Sequence, residues 1–371
     1  MKTYERKTDP NSSSRKFSSL VKLNRHALAP ISMGMFLCAG AAAADISIFV
    51  ATSIKPVHSI VSAVMEGVGE PHLLMRGAGS PHDFSLRPSD AAWLEKADVV
   101  FFIDERMEGS LAKPIQVLAS DARVVELSGT KNLVLRNQRE GGTFEEDLHH
   151  HHDEDDEGDD EERISSHGCK GMEHDCEEAD HNHDKIVPEG DYDGSGTLDL
   201  HIWPDPVNAI AMVEAIETTL AEVDPGNASA YNKNAHEFVH ELEDLTKEIK
   251  AMVAPVKDQP FLVFHDAYRY FEDRFGLAAV GSASVSEDRA PSVKRIRDLR
   301  NKVRELGVVC VFSEAHFDQR LVETIIEGTE IRKGILDSLG VKVEDGPELY
   351  ITTLRDMATS AIECLSPEGG S

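Results

Sequence analysis

Short apolar runs alternate with amphipathic segments along most of the chain. Val99-Val100-Phe101-Phe102-Ile103 and Val308-Val309-Cys310-Val311-Phe312 are unbroken apolar runs of strand length, which is typical of strands buried in a parallel sheet. Further strands are predicted at 46–50, 73–75, 124–127, 261–264, 280–284 and 335–336. Helices are predicted at 55–68, 91–97 (with Ser89 as N-cap), 205–222, 267–275, 292–306, 321–328 and 350–364. This alternation predicts an α/β fold with parallel sheets.

One predicted helix is much longer than the others. It follows Asp224-Pro225 and ends near Pro255. Its apolar positions recur every three or four residues, as one face of a helix requires: Tyr231, Ala235, Phe238, Leu242, Leu245, Ile249 and Met252. About 28 residues would span about 42 Å. With α/β segments on both sides, this helix is expected to be a rigid strut between two lobes.

The pattern divides the chain into four parts. Residues 1–44 are predicted to be a signal peptide, because a basic segment ending at Arg25 precedes an apolar run that closes on an Ala42-x-Ala44 cleavage site. An uncleaved membrane anchor is the alternative. Residues 45–204 are the N-terminal lobe, 205–255 contain the strut, and 256–371 are the C-terminal lobe.

Charge narrows the possible partners and singles out one segment. The 67 acidic residues outnumber the 38 basic ones, for a net charge of −29, which disfavours nucleic acid and anionic membranes and attracts cations. Residues 145–184 carry 18 Asp or Glu and almost no apolar side chain, so this insertion is expected to be disordered without a ligand. It also contains eight histidines: His149, His150, His151, His152, His167, His174, His181 and His183.

Three other histidines stand at predicted strand ends or in the loops after strands. They are His82, His201 and His265. Ligands of parallel α/β sheets bind outside the carboxyl ends of the strands, so three histidines in equivalent places predict a metal site, although each alone would fit a structural role. Asp337 follows a short extended segment in the same way and is a candidate fourth ligand, with water as the alternative. Three imidazoles and one oxygen suit tetrahedral Zn²⁺, whereas Mn²⁺ would favour more oxygen ligands.

Several stretches resemble the periplasmic zinc-binding component of bacterial zinc-uptake ABC transporters, over essentially the whole chain after residue 44. They are Ser53-Ile54-Lys55-Pro56, His82-Asp83-Phe84-Ser85-Leu86-Arg87-Pro88-Ser89, Asp199-Leu200-His201-Ile202-Trp203, Phe264-His265-Asp266-Ala267-Tyr268-Arg269-Tyr270-Phe271 and Val311-Phe312-Ser313-Glu314.

The resemblance implies two α/β lobes joined by one long helix, with metal in the cleft between the lobes. It maps the family's histidine ligands onto His82, His201 and His265. Related manganese binders carry a glutamate at the third place, so His265 favours zinc. Some zinc members take a fourth ligand from the residue before the first histidine, which here is Pro81. The implied protein is a periplasmic monomer that delivers Zn²⁺ to an inner-membrane ABC permease with its ATPase, without catalysis.

The insertion and the cysteines leave alternatives open. The insertion is also a feature of the zinc members; it is either a zinc collector or sensor that feeds the cleft, or a solvated acidic linker. Cys169 and Cys176 are either soft ligands or a disulfide pair. Cys310, in a buried strand, and Cys364, in the last helix, are predicted to form a disulfide in an exported protein, and the pairing resembles a bridge of the zinc members. Two buried free thiols are the alternative.

Two motifs compete with this interpretation. His236-Glu237-Phe238-Val239-His240 matches the H-E-x-x-H motif of zinc metallopeptidases, so a secreted peptidase that uses His236, Glu237 and His240 is the alternative function. No third ligand downstream is evident. The stretch 191–199 resembles the start of an EF-hand loop, but its twelfth position is Ile202 rather than glutamate, which favours a turn.

Overall fold

The structure is a computed structural model that describes residues 48–77, 79–82, 84–139, 192, 196–283, 292–315 and 319–367. The predicted signal peptide at 1–44, the insertion at 145–184 with its eight histidines, and the cysteines at 169 and 176 lie outside the described residues. Within the described ranges, no helix has both the length and the apolar character needed to cross a membrane.

The first half of the chain builds a parallel four-stranded sheet in the order β2-β1-β3-β4. Its strands are β1 Val50–Thr52, β2 His72–Leu73, β3 Val99–Phe102 and β4 Arg123–Glu126. The connecting helices are α1 Lys55–Val64, α2 Pro88–Leu94 and α3 Gly109–Leu118. Every residue of β1 and β3 is buried, whereas the edge strand β4 is largely exposed. The continuous apolar run predicted as a buried strand is therefore a central strand.

The second half repeats the arrangement in the order β6-β5-β7-β8, again with parallel pairing throughout. Its strands are β5 Phe261–Val263, β6 Ala279–Ser282, β7 Cys310–Ser313 and β8 Arg332–Ile335. Its helices are α6 Arg269–Phe275, α7 Val293–Glu305 and α8 Gln319–Ile326. The α/β fold with two parallel sheets that the sequence predicts is confirmed.

Two long helices lie between the two sheets along the chain: α4 Pro206–Val223 and α5 Ala228–Val253. A third, α9 Leu349–Leu365, follows β8 and packs against α5. The 26 residues of α5 span about 39 Å at 1.5 Å per residue. Its buried positions follow the predicted stripe: Tyr231, Ala235, Phe238, Leu242, Leu245, Ile249 and Val253. This stripe belongs to a hydrophobic core that contains β1, β3, β5 and residues of α9, so the strut packs against both halves of the molecule.

Some local details differ from the sequence-based expectations. The N-cap of α2 is Arg87 rather than Ser89, because Pro88 takes the first helical position, where its missing N–H costs nothing. Asp224 closes α4 instead of beginning α5, and its carboxylate accepts hydrogen bonds from Asn227 and Tyr231. Helix α3 has no counterpart in the prediction, since Pro114 lies inside it and interrupts the helical pattern of the sequence.

Candidate metal centre

His201 is held between the two halves of the molecule by the short segment that precedes α4. Its Nδ1 lies 2.8 Å from Asp199 Oδ1, and its backbone N–H donates to the same oxygen. Since an ionised carboxylate only accepts, Nδ1 carries the proton. The segment is fixed from the C-terminal half, because Tyr270 donates to the carbonyl of Asp199 and Tyr350 donates to that of Trp203.

His265 lies two residues after the end of β5. Its ring is buried, and Nδ1 lies 3.2 Å from Glu314 Oε1. Glu314 directly follows β7 and is itself buried. Neighbouring parallel strands place their carboxyl ends side by side, and this brings the carboxylate next to the imidazole. Nδ1 of His265 is therefore the donor nitrogen, and Nε2 carries the lone pair of the ring.

His82 lies in the loop between β2 and α2 and is half-buried. Its backbone N–H donates to Ser80 Oγ at 3.2 Å. The loop is closed on its far side by Pro88, which begins α2. His82 is thus the one histidine of the three that is accessible from solvent.

The three rings converge on one point. The ring centroids are 5.6 Å apart for His82 and His201, 6.1 Å for His82 and His265, and 4.9 Å for His201 and His265. One nitrogen from each ring lies within 4.8 Å of the other two. Among the described residues this is the one group of three or more His, Cys, Asp or Glu side chains with that geometry.

The chemistry of the group fits a metal ion. His201 Nε2 is buried, and no hydrogen-bond partner for it lies among the described residues. A buried polar atom without a partner costs free energy unless something binds it. Because the Asp199 carboxylate holds the proton on Nδ1, this Nε2 presents a lone pair, which is what a divalent cation requires. Burial disfavours the charged form of Asp199, but the bonds from His201 and the charge of Arg139 outweigh it and lower the pKa of Asp199.

Asp337 lies outside this group. Its Oδ1 accepts from the backbone N–H of Leu339 at 3.2 Å, and its Oδ2 accepts from that of Val341 at 2.8 Å. Both oxygens thereby close a turn that contains Gly340 at a φ of 63°. Asp337 as a fourth ligand remains a prediction from the sequence, and its bonds favour a role in shaping the loop after β8.

Asp266, which directly follows His265 in the chain, forms an ion pair with Arg139. The carboxylates that lie against the rings of His201 and His265 are those of Asp199 and Glu314. The signal that would have indicated them is their position, since Glu314 directly follows a buried strand and Asp199 precedes a histidine by two residues. Nothing in the local sequence around Arg139 indicates its contacts.

The H-E-x-x-H motif on α5 lies on an exposed surface of the helix. His236, Glu237 and His240 are all exposed. Glu237 binds Lys233 at 2.8 Å, and His240 Nδ1 lies 3.4 Å from Glu243. No third ligand joins the two histidines among the described residues, so the metallopeptidase alternative has no structural support. Most of the EF-hand-like stretch lies outside the described residues.

The two cysteines near the C-terminus are joined. Cys310 in β7 and Cys364 in α9 form a disulfide with a Cα–Cα distance of 5.9 Å. Both residues are buried. The bridge ties the last helix to a central strand of the second sheet, one strand away from the one that carries His265. The predicted pairing is confirmed.

Comparison with known proteins finds a family match over most of the chain. The family model described as "Zinc-uptake complex component A periplasmic" matches residues 50–364. The chain is 47% identical over 317 residues to the high-affinity zinc uptake system protein ZnuA of Brucella suis biovar 1 (strain 1330), covering 85% of this chain and 91% of the relative.

Solved structures agree on the fold. A crystal structure of ZnuA superimposes with a TM-score of 0.64 at 20% identity and covers 86% of this chain and all of the other. A mutant of the laminin-binding adhesin of Streptococcus agalactiae gives a TM-score of 0.63 at 22% identity, covering 86% of this chain and all of that one. At this identity the likeness extends to the fold alone.

Proposed function

This chain belongs to the ZnuA family of periplasmic zinc-uptake components, and we propose that it captures Zn²⁺ with His82, His201 and His265 and delivers the ion to an ABC permease. The observation that carries the proposal is the meeting of three imidazoles around one point, with His201 Nε2 buried and unpaired among the described residues. In this account the ion is cargo: the protein binds and releases it, without catalysis.

The donor set favours zinc over the harder divalent ions. Three neutral imidazoles and one further ligand form the tetrahedral site that Zn²⁺ adopts, with Zn–N distances of about 2.0–2.1 Å. Ions such as Mn²⁺ prefer more oxygen ligands, and both nearby carboxylates, Asp199 and Glu314, are engaged by the far nitrogens of the rings. We propose water as the fourth ligand, because both oxygens of Asp337 bind backbone N–H groups.

We base the proposed delivery to a permease on the family match and not on a surface of the molecule. Members of this family are described as periplasmic components of a zinc-uptake complex. We propose that the chain is exported, that cleavage follows Ala44, and that a monomer docks on an inner-membrane permease whose ATPase drives uptake. The acidic surface, with a net charge of −29 for the whole chain, raises the local concentration of cations around the cleft.

The His-rich insertion at 145–184 completes the proposal. Its imidazoles and carboxylates would bind zinc weakly and in several arrangements, and the affinity would fall as pH drops through the histidine range. We propose that it collects zinc for the cleft. Deleting residues 145–184 should then reduce the number of weakly bound ions while the tight ion remains; an unchanged count of weak ions would contradict this role.

Growth of a strain that lacks the gene tests the proposal as a whole. In medium depleted of zinc by a chelator, the intact gene should restore growth, whereas His82→Ala, His201→Ala and His265→Ala should not. His236→Ala is the matched control, since it removes an exposed histidine of α5, and it should restore growth fully. Growth restored equally by His201→Ala, with all variants expressed at the same level, would contradict the proposal.

A further inference from the structure

Arg139 binds two carboxylates at once, beside the metal centre. Its Nε lies 3.0 Å from Asp266 Oδ2, and a terminal nitrogen also binds Asp266 Oδ1. The terminal nitrogens further lie 2.8 and 3.1 Å from the two oxygens of Glu272. These bonds use four of the five N–H groups of a guanidinium, in the planar forked geometry that arginine alone offers.

The two carboxylates belong to the structure that holds His265. Asp266 is the next residue along the chain after His265, and Glu272 lies in α6, six residues beyond Asp266. Glu272 Oε2 also accepts from the backbone N–H of Ala279 at 3.0 Å, so it joins α6 to the start of β6. A bond from Arg139 to both carboxylates therefore restrains the His265 loop from two sides.

Arg139 itself belongs to the structure that holds His201. It ends the segment 133–139, whose first part is fixed by Asn208 of α4 through both backbone groups of Val134. The segment runs antiparallel to the residues that lead to His201, because Asn137 bridges Leu198 and the N–H of Asp199 donates to Arg136. The guanidinium thus connects the segment beside His201 with the loop of His265.

Burial makes this connection costly to break. The Arg139 side chain is 16% exposed and that of Glu272 is 3% exposed. Charges this far from water attract each other strongly, and separating them leaves each one uncompensated. Asp266 is 17% exposed, so its side of the ion pair is the one closer to solvent.

We propose that Arg139 is a positioning residue for zinc: it fixes the distance between His265 and His201 and thereby slows the release of the ion. The inference rests on the proposed function, since it presupposes that these histidines hold Zn²⁺. The guanidinium does not touch the ion. Because it restrains the assembled site and not the path of entry, it acts on the dissociation rate and leaves the association rate unchanged.

Zinc dissociation from the intact chain, followed by stopped-flow mixing with an excess of chelator, tests the proposal. The slow phase that His201→Ala abolishes reports the three-histidine site and separates it from weak binding elsewhere. Arg139→Gln should accelerate this phase about 10- to 100-fold, the range expected when a group that orients a metal ligand is removed. Arg139→Lys, which keeps the charge and loses the fork, should lie between.

The matched control is Arg355→Lys. Arg355 binds Glu248 in the same bidentate way, at 2.8–3.1 Å, but on the exposed surface between α5 and α9. It should leave the slow phase unchanged. The Co²⁺ form supplies a second readout, because its ligand-field bands respond to imidazole geometry: they should shift in Arg139→Gln and stay unchanged in Arg355→Lys.

The outcomes separate the two proposals. A slow phase that persists in His201→Ala contradicts the three-histidine site itself. Suppose instead that the slow phase depends on His201, but that Arg139→Gln has the rate and the Co²⁺ spectrum of the wild type. The role of Arg139 is then overturned, whereas the three-histidine site stands. If Arg139→Gln does not fold, Asp266→Asn tests the same ion pair from its more exposed side, and an unchanged rate there is equally decisive.

Discussion

His201 Nδ1 lies 2.8 Å from Asp199 Oδ1, and this bond determines which nitrogen of the ring faces the other two histidines. The same relationship recurs between His265 and Glu314 at 3.2 Å. Two buried carboxylates thus hold the proton of two imidazoles on Nδ1, which leaves the lone pair of each ring on Nε2.

Removing either carboxylate should weaken zinc binding without removing a ligand. Asp199→Ala and Glu314→Ala are expected to lower the zinc affinity by about 10- to 100-fold, the usual effect of losing a partner that orients a metal-bound histidine. Competition titration against a chelator of known affinity measures the change. Glu248→Ala, which removes an exposed carboxylate bound to Arg355, is the control; equal affinities in all three variants would refute the role of the two carboxylates.

Substitution of Asp337 should affect stability and not zinc. Asp337→Ala removes the acceptor of two backbone N–H groups, so the free energy of unfolding should fall by about 1–2 kcal/mol. The zinc affinity should stay within about twofold of the wild type if water completes the coordination sphere. A loss of affinity comparable to that of a histidine variant would instead identify Asp337 as the fourth ligand.

The disulfide should stabilise the fold without shaping the metal site. It closes a loop with a sequence separation of 54 residues, for which the loss of chain entropy in the unfolded state predicts a stabilisation of about 4 kcal/mol. The double variant Cys310→Ala/Cys364→Ala should unfold at correspondingly lower urea concentration and bind zinc as before. Because the chain has other cysteines, reducing buffer is the control. The double variant should unfold at the same urea concentration with and without reductant.

Glu108 should make stability depend on pH. Burial raises the pKa of Glu108 to about 7, although the N–H groups of Ile103 and Asp104 bind its Oε2. The carboxyl is protonated in the folded state at pH values where the unfolded chain has released the proton. Its favourable contribution is therefore present below the unfolded-state pKa of about 4.5 and is lost as pH rises through about 7.

The variant Glu108→Gln isolates this effect, because its amide stays neutral and keeps an acceptor for the two N–H groups. Urea unfolding at pH 5 and pH 8 should show a stability gain for the variant over wild type that is larger at pH 8, by up to about 3 kcal/mol. A gain that is the same at both pH values would show that Glu108 titrates normally.

The sequence predicted what depends on local pattern. The α/β fold with two parallel sheets was predicted from the apolar run at 99–103, the stripe of α5 and the alternation of strands with helices. The positions of three histidines at strand ends or in the loops after strands predicted the group that the structure brings together. The family resemblance is confirmed by the match over residues 50–364. Each of these features can be predicted because it depends on the periodicity or the order of neighbouring residues.

The contacts between distant residues were not predictable in this way. His265 contacts Glu314, which lies 49 residues further along the chain. Asp266 is next to His265 in the chain, but the side chain that binds it is Arg139, 127 residues away. The partner of a charged side chain depends on which elements the tertiary fold brings together, and the spacing of residues in the sequence does not indicate this.

If His82, His201 and His265 together hold one Zn²⁺, a zinc competition titration of His201→Ala beside wild type and His236→Ala should reveal it. We expect one tight ion per chain in wild type and in His236→Ala, and no tight ion in His201→Ala. A tight ion that remains in folded His201→Ala, or that disappears in His236→Ala, would show that these histidines do not form the site.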